Sequence, residues 1–151
     1  MAKNIVAAAP PQCPTDIVIV LDDSGSIGST NFVLAKSFLS RLVARFSIGN
    51  ASVRVGLVKY SSSVNARIYL NAHSSVDSLQ RAISALNYTT GGTNTAVALA
   101  YVRTTILTSA RGARSNACTV VVVLTDGKSN NANNTRVSVR NSICCMYTSI
   151  R

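Results

Sequence analysis

Residues 16–32 read DIVIVLDDSGSIGSTNF. The apolar run at residues 17–21 is bounded by Asp16 and Asp22, and such an uninterrupted run predicts a strand that is buried on both faces. Strands of this kind lie at the centre of parallel sheets. The aspartates and serines that follow the run place a polar loop at the carboxyl end of this strand.

An amphipathic helix is predicted after this loop. Apolar side chains recur at helical spacing from Phe32 to Phe46, with polar and basic side chains on the other side. Ser29, Thr30 and Asn31 are the alternative N-cap residues, because each has a short side chain whose oxygen can accept a hydrogen bond from a free amide. A buried strand followed directly by an amphipathic helix is typical of α/β proteins.

A hairpin and a second helix are predicted next. Residues 53–60 and 64–70 have the composition of strands, and the three residues between them form a connection short enough to require an antiparallel hairpin. Ser74 and Asp77 have the spacing of a capping box at the start of a helix. One edge of the sheet is therefore expected to be antiparallel.

The last predicted elements complete the pattern. Residues 96–107 predict a third helix, and residues 119–124 form a second fully apolar strand. Strands that alternate with helices predict a doubly wound, Rossmann-like α/β fold. We expect a mostly parallel sheet with one antiparallel edge strand and helices on both faces.

The length of 151 residues is sufficient for one domain with its own core. We interpret residues 1–12 as a leader or linker, residues 13–140 as the domain and residues 141–151 as an atypical tail. No apolar run approaches the roughly 20 residues that cross a bilayer. Residues 1–12 also lack the apolar centre of a signal peptide, so we expect no export signal among them.

The charge balance is strongly basic, with 15 Lys and Arg residues against five aspartates and a formal net charge of +10. Such a charge attracts anionic partners through a long-range field that salt screens. The basic residues are dispersed, and no aromatic side chains that could stack on bases are interleaved with them. Nucleic acid is therefore a poor candidate partner, whereas sulfated polysaccharide stays open.

Three polar clusters are predicted to meet at one edge of the sheet. They are Asp22-Asp-Ser-Gly-Ser26 after the first strand, Gly91-Gly-Thr-Asn-Thr95 before the third helix, and Thr125-Asp-Gly127 after the apolar strand. Ligands of doubly wound folds bind where loops leave the carboxyl ends of the central strands. Hydroxyl and carboxylate oxygens are ligands that Mg²⁺ and Mn²⁺ prefer, so we predict a divalent-cation site here.

These clusters resemble the signatures of the von Willebrand factor type A domain, a family that includes the integrin I domain. Its metal-ion-dependent adhesion site combines a D-x-S-x-S motif with a distant Thr and a distant Asp. The five positions are matched here by Asp22, Ser24, Ser26, Thr93 and Asp126. The likeness extends over residues 13–134, with the three motifs in the family's order and spacing.

The resemblance implies a role for each matched residue. Ser24 and Ser26 would bind the cation through their hydroxyls, Thr93 would bind it directly or through water, and Asp22 and Asp126 would hold its coordinated waters. The cation would be Mg²⁺ or Mn²⁺, with Ca²⁺ a weaker candidate. Asp23, at the variable position of the motif, is expected to face solvent and not to bind the cation.

The resemblance also implies a partner and a location. A Glu or Asp side chain of a protein ligand, with collagen or another matrix protein as the candidate, would complete the coordination of the cation. The chain would then act outside the cell, in matrix or at the cell surface, as part of a larger protein.

Other functions stay open at this stage. The chain could be a structural matrix module that binds sulfated polysaccharide, or an intracellular A-domain protein that acts in complex assembly. An enzyme is not expected, because the G-x-S-x-G motif of serine hydrolases is absent and His73, the single histidine, has no evident acid partner.

Two kinds of modification are expected if the protein is exported. In the family, the first strand and the apolar strand are parallel neighbours. Cys13 and Cys118 precede these strands, so the resemblance predicts that they form a disulfide. Acceptor triplets for N-glycosylation begin at Asn50, Asn87 and Asn133.

The resemblance ends in the last part of the chain. After Asp126 the family continues with further helices and strands, and residues 141–151 do not resemble them. We therefore expect the last strands and helices of the fold to be missing. The apolar strand at residues 119–124 would then lie near an open edge, which favours association.

Overall fold

A computed structural model describes residues 13–127 and 129–130, together with the backbone of residues 145–149. Five strands form one sheet in the order β3-β2-β1-β4-β5. Their bounds are Thr15–Asp22 (β1), Val53–Tyr60 (β2), Val64–Ile68 (β3), Cys118–Thr125 (β4) and Cys145–Ser149 (β5). β1 pairs in parallel with β2 and β4, whereas β3 is antiparallel to β2. The predicted mixed sheet with one antiparallel edge is confirmed.

In the described part of the chain, three α-helices flank the sheet: α1 is Gly28–Val43, α2 is Val76–Ser84 and α3 is Thr95–Tyr101. A π-helical segment at Val102–Ile106 continues α3, so the third predicted helix changes its hydrogen-bonding pattern partway along. No helix in the described part of the chain is both long and apolar enough to cross a bilayer.

The core has two layers because the sheet is covered on both faces. Ile17, Ile19 and Leu21 of β1 pack with the buried faces of α1 and α2. Val18 and Val20 point to the opposite face and pack with α3 and the π-helical segment. This alternation explains the continuous apolar run: side chains of a strand point to the two faces in turn, and both faces of β1 are buried.

The helix starts differ from the sequence prediction. α1 begins at Gly28, and the residue before it, Ile27, has helical backbone angles and makes no side-chain cap. The Ile27 amide already donates to the Ser24 carbonyl at 3.2 Å, so a turn leads straight into the helix ahead of the predicted caps. α2 is capped by Ser75, whose hydroxyl accepts from the Ser78 amide, one residue later than the predicted box.

β4 is an interior strand, so the prediction of an open edge at residues 119–124 was wrong. β5, at Cys145–Ser149, lies parallel to β4, with Val121 opposite Cys145. The tail therefore contributes a strand that the sequence did not predict, and β5 takes the edge position among the described strands. The predicted leader at residues 1–12, and the tail apart from the backbone of 145–149, lie outside the described residues.

Candidate metal centre

Asp22, the last residue of β1, is fully buried at the carboxyl end of the sheet. Its Oδ1 accepts from the Ser24 amide at 2.8 Å, and its Oδ2 accepts from the Thr125 hydroxyl at 2.6 Å. Thr125 ends the neighbouring strand β4, and its Oγ1 also accepts from the Gly127 amide at 3.2 Å. The ends of two parallel strands thus fix the orientation of one carboxylate.

Two serine hydroxyls and a second carboxylate lie next to the Asp22 carboxylate. Ser24 Oγ is 3.2 Å from Ser26 Oγ, and Ser26 Oγ donates to Asp126 Oδ1 at 3.0 Å. Ser24 is buried, Ser26 is exposed and Asp126 is half-buried, so the group forms a partly open surface. The structure therefore brings together Ser26 and Asp126, which are 100 residues apart in the chain.

The loop that carries Thr93 is tied to both of the other loops. The Gly25 amide donates to the Gly91 carbonyl at 2.9 Å, and the Asn130 amide donates to the Thr93 carbonyl at 2.8 Å. Gly91 has φ +132°, and a Cβ there would lie 2.8 Å from the Ser61 hydroxyl, so this turn requires glycine. Thr93 itself is buried and lies between loops that carry the other four predicted residues.

The donor set fits a small, hard cation. Neighbouring oxygens of an octahedral Mg²⁺ site lie about 3 Å apart, since each is about 2.1 Å from the metal. The Ser24–Ser26 oxygen separation of 3.2 Å matches this spacing, and the Asp126 carboxylate lies beside the pair, within hydrogen-bond distance of Ser26 Oγ at 3.0 Å. Among the described residues no three His, Cys, Asp or Glu side chains cluster. The side-chain oxygens that meet here are the hydroxyls of Ser24 and Ser26 and the carboxylate of Asp126.

Asp23 does not face solvent, so that prediction was wrong. It is fully buried, and its Oδ2 accepts from Lys59 Nζ at 2.5 Å. The reason is that β1 continues through Asp22, so the next residue points back between β2 and the segment before Thr93. Lys59 was not predicted, although it is the single charged residue in the otherwise uncharged run at residues 55–60, which was the available signal.

Burial removes most of the negative charge from the surface. Of the five aspartates, Asp16, Asp22 and Asp23 are fully buried. Asp16 is paired with Arg114 at 2.7 Å, at the opposite end of β1 from the candidate centre. The two acids that remain are Asp77, which is exposed, and Asp126, which is half-buried, so Asp126 lies on a surface on which basic side chains far outnumber acids.

The remaining predicted sites are placed as follows. The Cys118 amide donates to the Pro14 carbonyl at 2.8 Å, so Cys13 and Cys118 lie at the same end of the sheet. Both thiols are exposed and free in this structure, and the disulfide stays a prediction. Asn50 and Asn87 are exposed, whereas Asn133 lies outside the described residues.

Comparison with known proteins agrees with this architecture. Human collagen alpha-1(XX) chain is 40% identical over 119 residues, which cover 79% of this chain and 9% of that protein. Mouse matrilin-1 is 38% identical over 118 residues, which cover 76% of this chain and 24% of that protein. The chain thus spans a quarter or less of the length of these two relatives.

A solved structure shares the fold. Proximal thread matrix protein 1 from the mussel byssus, with a zinc-occupied MIDAS motif, superposes with a TM-score of 0.79 at 23% identity. The match covers 90% of this chain and 38% of that one. The sequence model of the von Willebrand factor type A domain matches residues 16–144. The chain therefore belongs to the von Willebrand factor type A domain family.

Proposed function

We propose that this chain is a divalent-cation-dependent adhesion module that binds an acidic side chain of a partner protein. The observation that carries the proposal is the convergence of Ser24, Ser26 and Asp126, whose side-chain oxygens lie 3.0–3.2 Å apart at the end of the sheet. They come from loops after two neighbouring strands, as expected for a ligand site of this fold. The 3.2 Å spacing of the two serine hydroxyls fits neighbouring ligands of one small cation, and Asp126 lies close enough to hold its waters.

Residues of this chain would hold the cation in two ways, some by direct binding and others through its waters. The hydroxyls of Ser24 and Ser26 would bind the cation directly, with Thr93 binding directly or through water. Asp22 and Asp126 would accept hydrogen bonds from its waters. A bound Mg²⁺ or Mn²⁺ would supply a Lewis-acid position for an incoming carboxylate oxygen.

The basic surface would favour the approach of such a ligand. Three of the five aspartates are buried, so most exposed charges are positive and attract an acidic partner at long range. The collagen and matrilin relatives support extracellular matrix as the location, and collagen or another matrix protein as the partner. In this proposal the chain acts as part of a larger protein.

The test measures binding of the chain to surfaces coated with fibrillar collagen. We expect binding in Mg²⁺ that EDTA abolishes, that moderate salt leaves intact, and that is lost when the collagen carboxylates are amidated. Asp126→Ala should remove binding, whereas Asp77→Ala, which removes the other aspartate that is not buried, should not. Binding that persists in EDTA, or that Asp77→Ala weakens equally, would contradict the proposal.

A second candidate function is the binding of sulfated polysaccharide, and one surface cluster favours it. The Arg111 guanidinium lies over the Tyr69 ring, 4.3 Å from its centroid. Hydrogen bonds from Tyr101 and then from Arg67 lower the pKa of Tyr69 below its ordinary value. Two exposed guanidiniums beside two phenols could hold a sulfate group.

Heparin affinity chromatography tests this candidate. Arg67→Gln with Arg111→Gln should lower the salt concentration needed for elution more than Arg41→Gln with Arg45→Gln, which removes the same charge from exposed positions on and just after α1. EDTA should have no effect on the elution. Equal shifts for both double variants would mean that only net charge matters and would exclude a specific site.

A further inference from the structure

We propose that the buried Asp23–Lys59 pair is a positioning device that orders the cation-binding loops before the cation arrives. The inference rests on the proposed function and adds two residues that do not touch the cation. Lys59 is 2% exposed and Asp23 is fully buried, so neither side chain serves solubility. An ion pair with so little solvent contact is costly to break by removing one partner.

The Lys59 ammonium group donates three hydrogen bonds, one for each of its hydrogens, within one small region. It donates to Asp23 Oδ2 at 2.5 Å, to the Asn87 carbonyl at 2.8 Å and to Thr89 Oγ1 at 3.0 Å. Asp23 belongs to the loop after β1, and Asn87 and Thr89 belong to the segment that leads to Thr93. One ammonium group in β2 therefore joins the two loops that carry the hydroxyls of the site.

The Asp23 carboxylate makes the same connection from the other side. Its Oδ2 accepts from the amide of Thr89 at 3.2 Å and also from the Thr89 hydroxyl. Its Oδ1 accepts from Asn65 Nδ2 at 3.1 Å, and Asn65 also donates to Thr89 Oγ1 at 3.0 Å. Among the described residues, the partners of this carboxylate thus lie on β2, on β3 or in the segment before Thr93, and none of them belongs to the candidate metal centre.

The position of Asp23 in the chain explains how the pair acts on the site. Asp23 lies between Asp22 and Ser24, and its amide donates to the Tyr60 carbonyl at 2.8 Å. Holding the backbone and side chain of Asp23 in place therefore restrains the backbone of both neighbours. The Tyr88 hydroxyl adds a further link to the Ser24 carbonyl at 3.1 Å.

Preorganisation of the ligands matters more in this hydroxyl-rich site than in a carboxylate-rich site. Neutral hydroxyls attract a cation less strongly than carboxylates do, so affinity depends on holding them in place beforehand. A loop that must be ordered during binding lowers the affinity by the cost of that ordering. We therefore expect loss of the pair to weaken cation binding even though the charge of the region is unchanged.

The structure provides a matched control at the other end of β1. Asp16 and Arg114 form a second ion pair at 2.7 Å, in which Asp16 is fully buried and the Arg114 side chain is 12% exposed. Arg114 also donates to the carbonyls of Asn50, Thr15 and Ser52. Removing this pair lowers stability without touching the cation-binding loops. It therefore separates loss of positioning from general loss of stability.

The experiment measures the Mn²⁺ dissociation constant of the full 151-residue chain by titration calorimetry, on protein made in bacteria without glycosylation. Asp23→Ala with Lys59→Met should raise this constant at least tenfold. Asp16→Ala with Arg114→Met should change it less than twofold. An unchanged constant in the first variant, or an equal rise in both, overturns the proposal.

A milder change keeps the test decisive if the double variant fails to fold. Thr89→Val removes the hydroxyl that bonds to both members of the pair at an exposed position, and it should raise the Mn²⁺ dissociation constant at least threefold. Thr89→Ser restores the hydroxyl and should restore the affinity. A wild-type constant for Thr89→Val in a folded protein overturns the proposal.

Amide hydrogen exchange without cation separates this proposal from the proposed function. Exchange at residues 89–94 should be faster in the Asp23→Ala/Lys59→Met variant and in Thr89→Val, and unchanged in the Asp16→Ala/Arg114→Met variant. If the unmodified chain binds no Mn²⁺, the proposed function fails, and exchange alone decides whether the pair orders the loops. Unchanged exchange at residues 89–94 then overturns the positioning role as well.

Discussion

Replacement of Thr125 by valine should destabilise the cation-free protein, because it leaves Oδ2 of the buried Asp22 carboxylate without its hydrogen-bond donor. Thr125 Oγ1 donates to Asp22 Oδ2 at 2.6 Å, and both residues are buried, with relative exposures of 4% and 0%. A hydrogen bond to a charged group contributes about 1.5–3 kcal/mol, and a buried acceptor left without a donor costs about 1–3 kcal/mol. Valine keeps the shape of the side chain, so no cavity term is added.

We therefore expect Thr125→Val to lower the free energy of unfolding by about 2 kcal/mol. For a chain of this size, that corresponds to a fall in the melting temperature of about 4–8 °C. The assay is urea and thermal unfolding followed by circular dichroism in EDTA. Because the midpoint and the slope are measured separately, a change in stability can be distinguished from a change in the unfolded state.

The control is Thr119→Val, on the same strand and the same face of β4. Residues 119 and 125 have the same parity, and Thr119 makes no side-chain hydrogen bond to any residue that the structure describes. Thr119→Val should change the free energy of unfolding by less than about 0.5 kcal/mol. A Thr125→Val protein as stable as the unmodified chain would refute the reasoning, and so would equal losses in both variants.

Three further predictions concern the end of the sheet opposite the candidate metal centre and the surface cluster around Tyr69. Arg114→Met should lower the free energy of unfolding in urea by about 3 kcal/mol, because it leaves the buried carboxylate of Asp16 without its guanidinium; a loss below 1 kcal/mol would contradict this. Protein exported to an oxidising compartment should contain a Cys13–Cys118 disulfide in its peptide map, and thiol labelling of both cysteines without reductant would exclude it. In an ultraviolet titration, one tyrosine should ionise below pH 10, since the pKa of Tyr69 is lowered by its hydrogen bonds, and this step should disappear in Tyr69→Phe.

Much of the fold was predictable because its signals are local. The run at residues 17–21 predicted a strand buried on both faces, and residues 53–60 predicted β2 with the bounds that the structure shows. The convergence of Asp22, Ser24 and Asp126 followed from one rule, that the carboxyl ends of parallel strands meet at one edge of the sheet. The adjacency of strands in the sheet therefore brings together residues that are far apart in the chain.

The role of Asp23 was not predictable because its partner is distant in the sequence. Lys59 lies 36 residues away on β2, and no local pattern connects the two. An aspartate next to a polar motif is most often exposed, so the motif alone predicted that the Asp23 side chain faces solvent. The single charge in the otherwise uncharged run at residues 55–60 was a usable signal, since a lysine at such a position needs a buried acid.

The start of α1 and the strand β5 were missed for different reasons. Ser29, Thr30 and Asn31 all have cap chemistry, but the turn at Ser24 sets the backbone of Ile27 to helical angles before any of them. β5 comes from the short segment Cys145–Ser149, whose composition alone gives a weak strand signal. Its place is set by pairing with β4, a long-range interaction that sequence periodicity does not report.

The central claim, a working cation site at the end of β1 and β4, is tested most directly by thermal unfolding with and without Mn²⁺. At about 100 times its dissociation constant, a ligand of the native state adds about 2.7 kcal/mol to the free energy of unfolding. The melting temperature of the unmodified chain should therefore rise by about 5–10 °C, and that of Asp126→Ala should not change. A melting temperature that is the same with and without Mn²⁺, or an equal rise in Asp126→Ala, would contradict the claim.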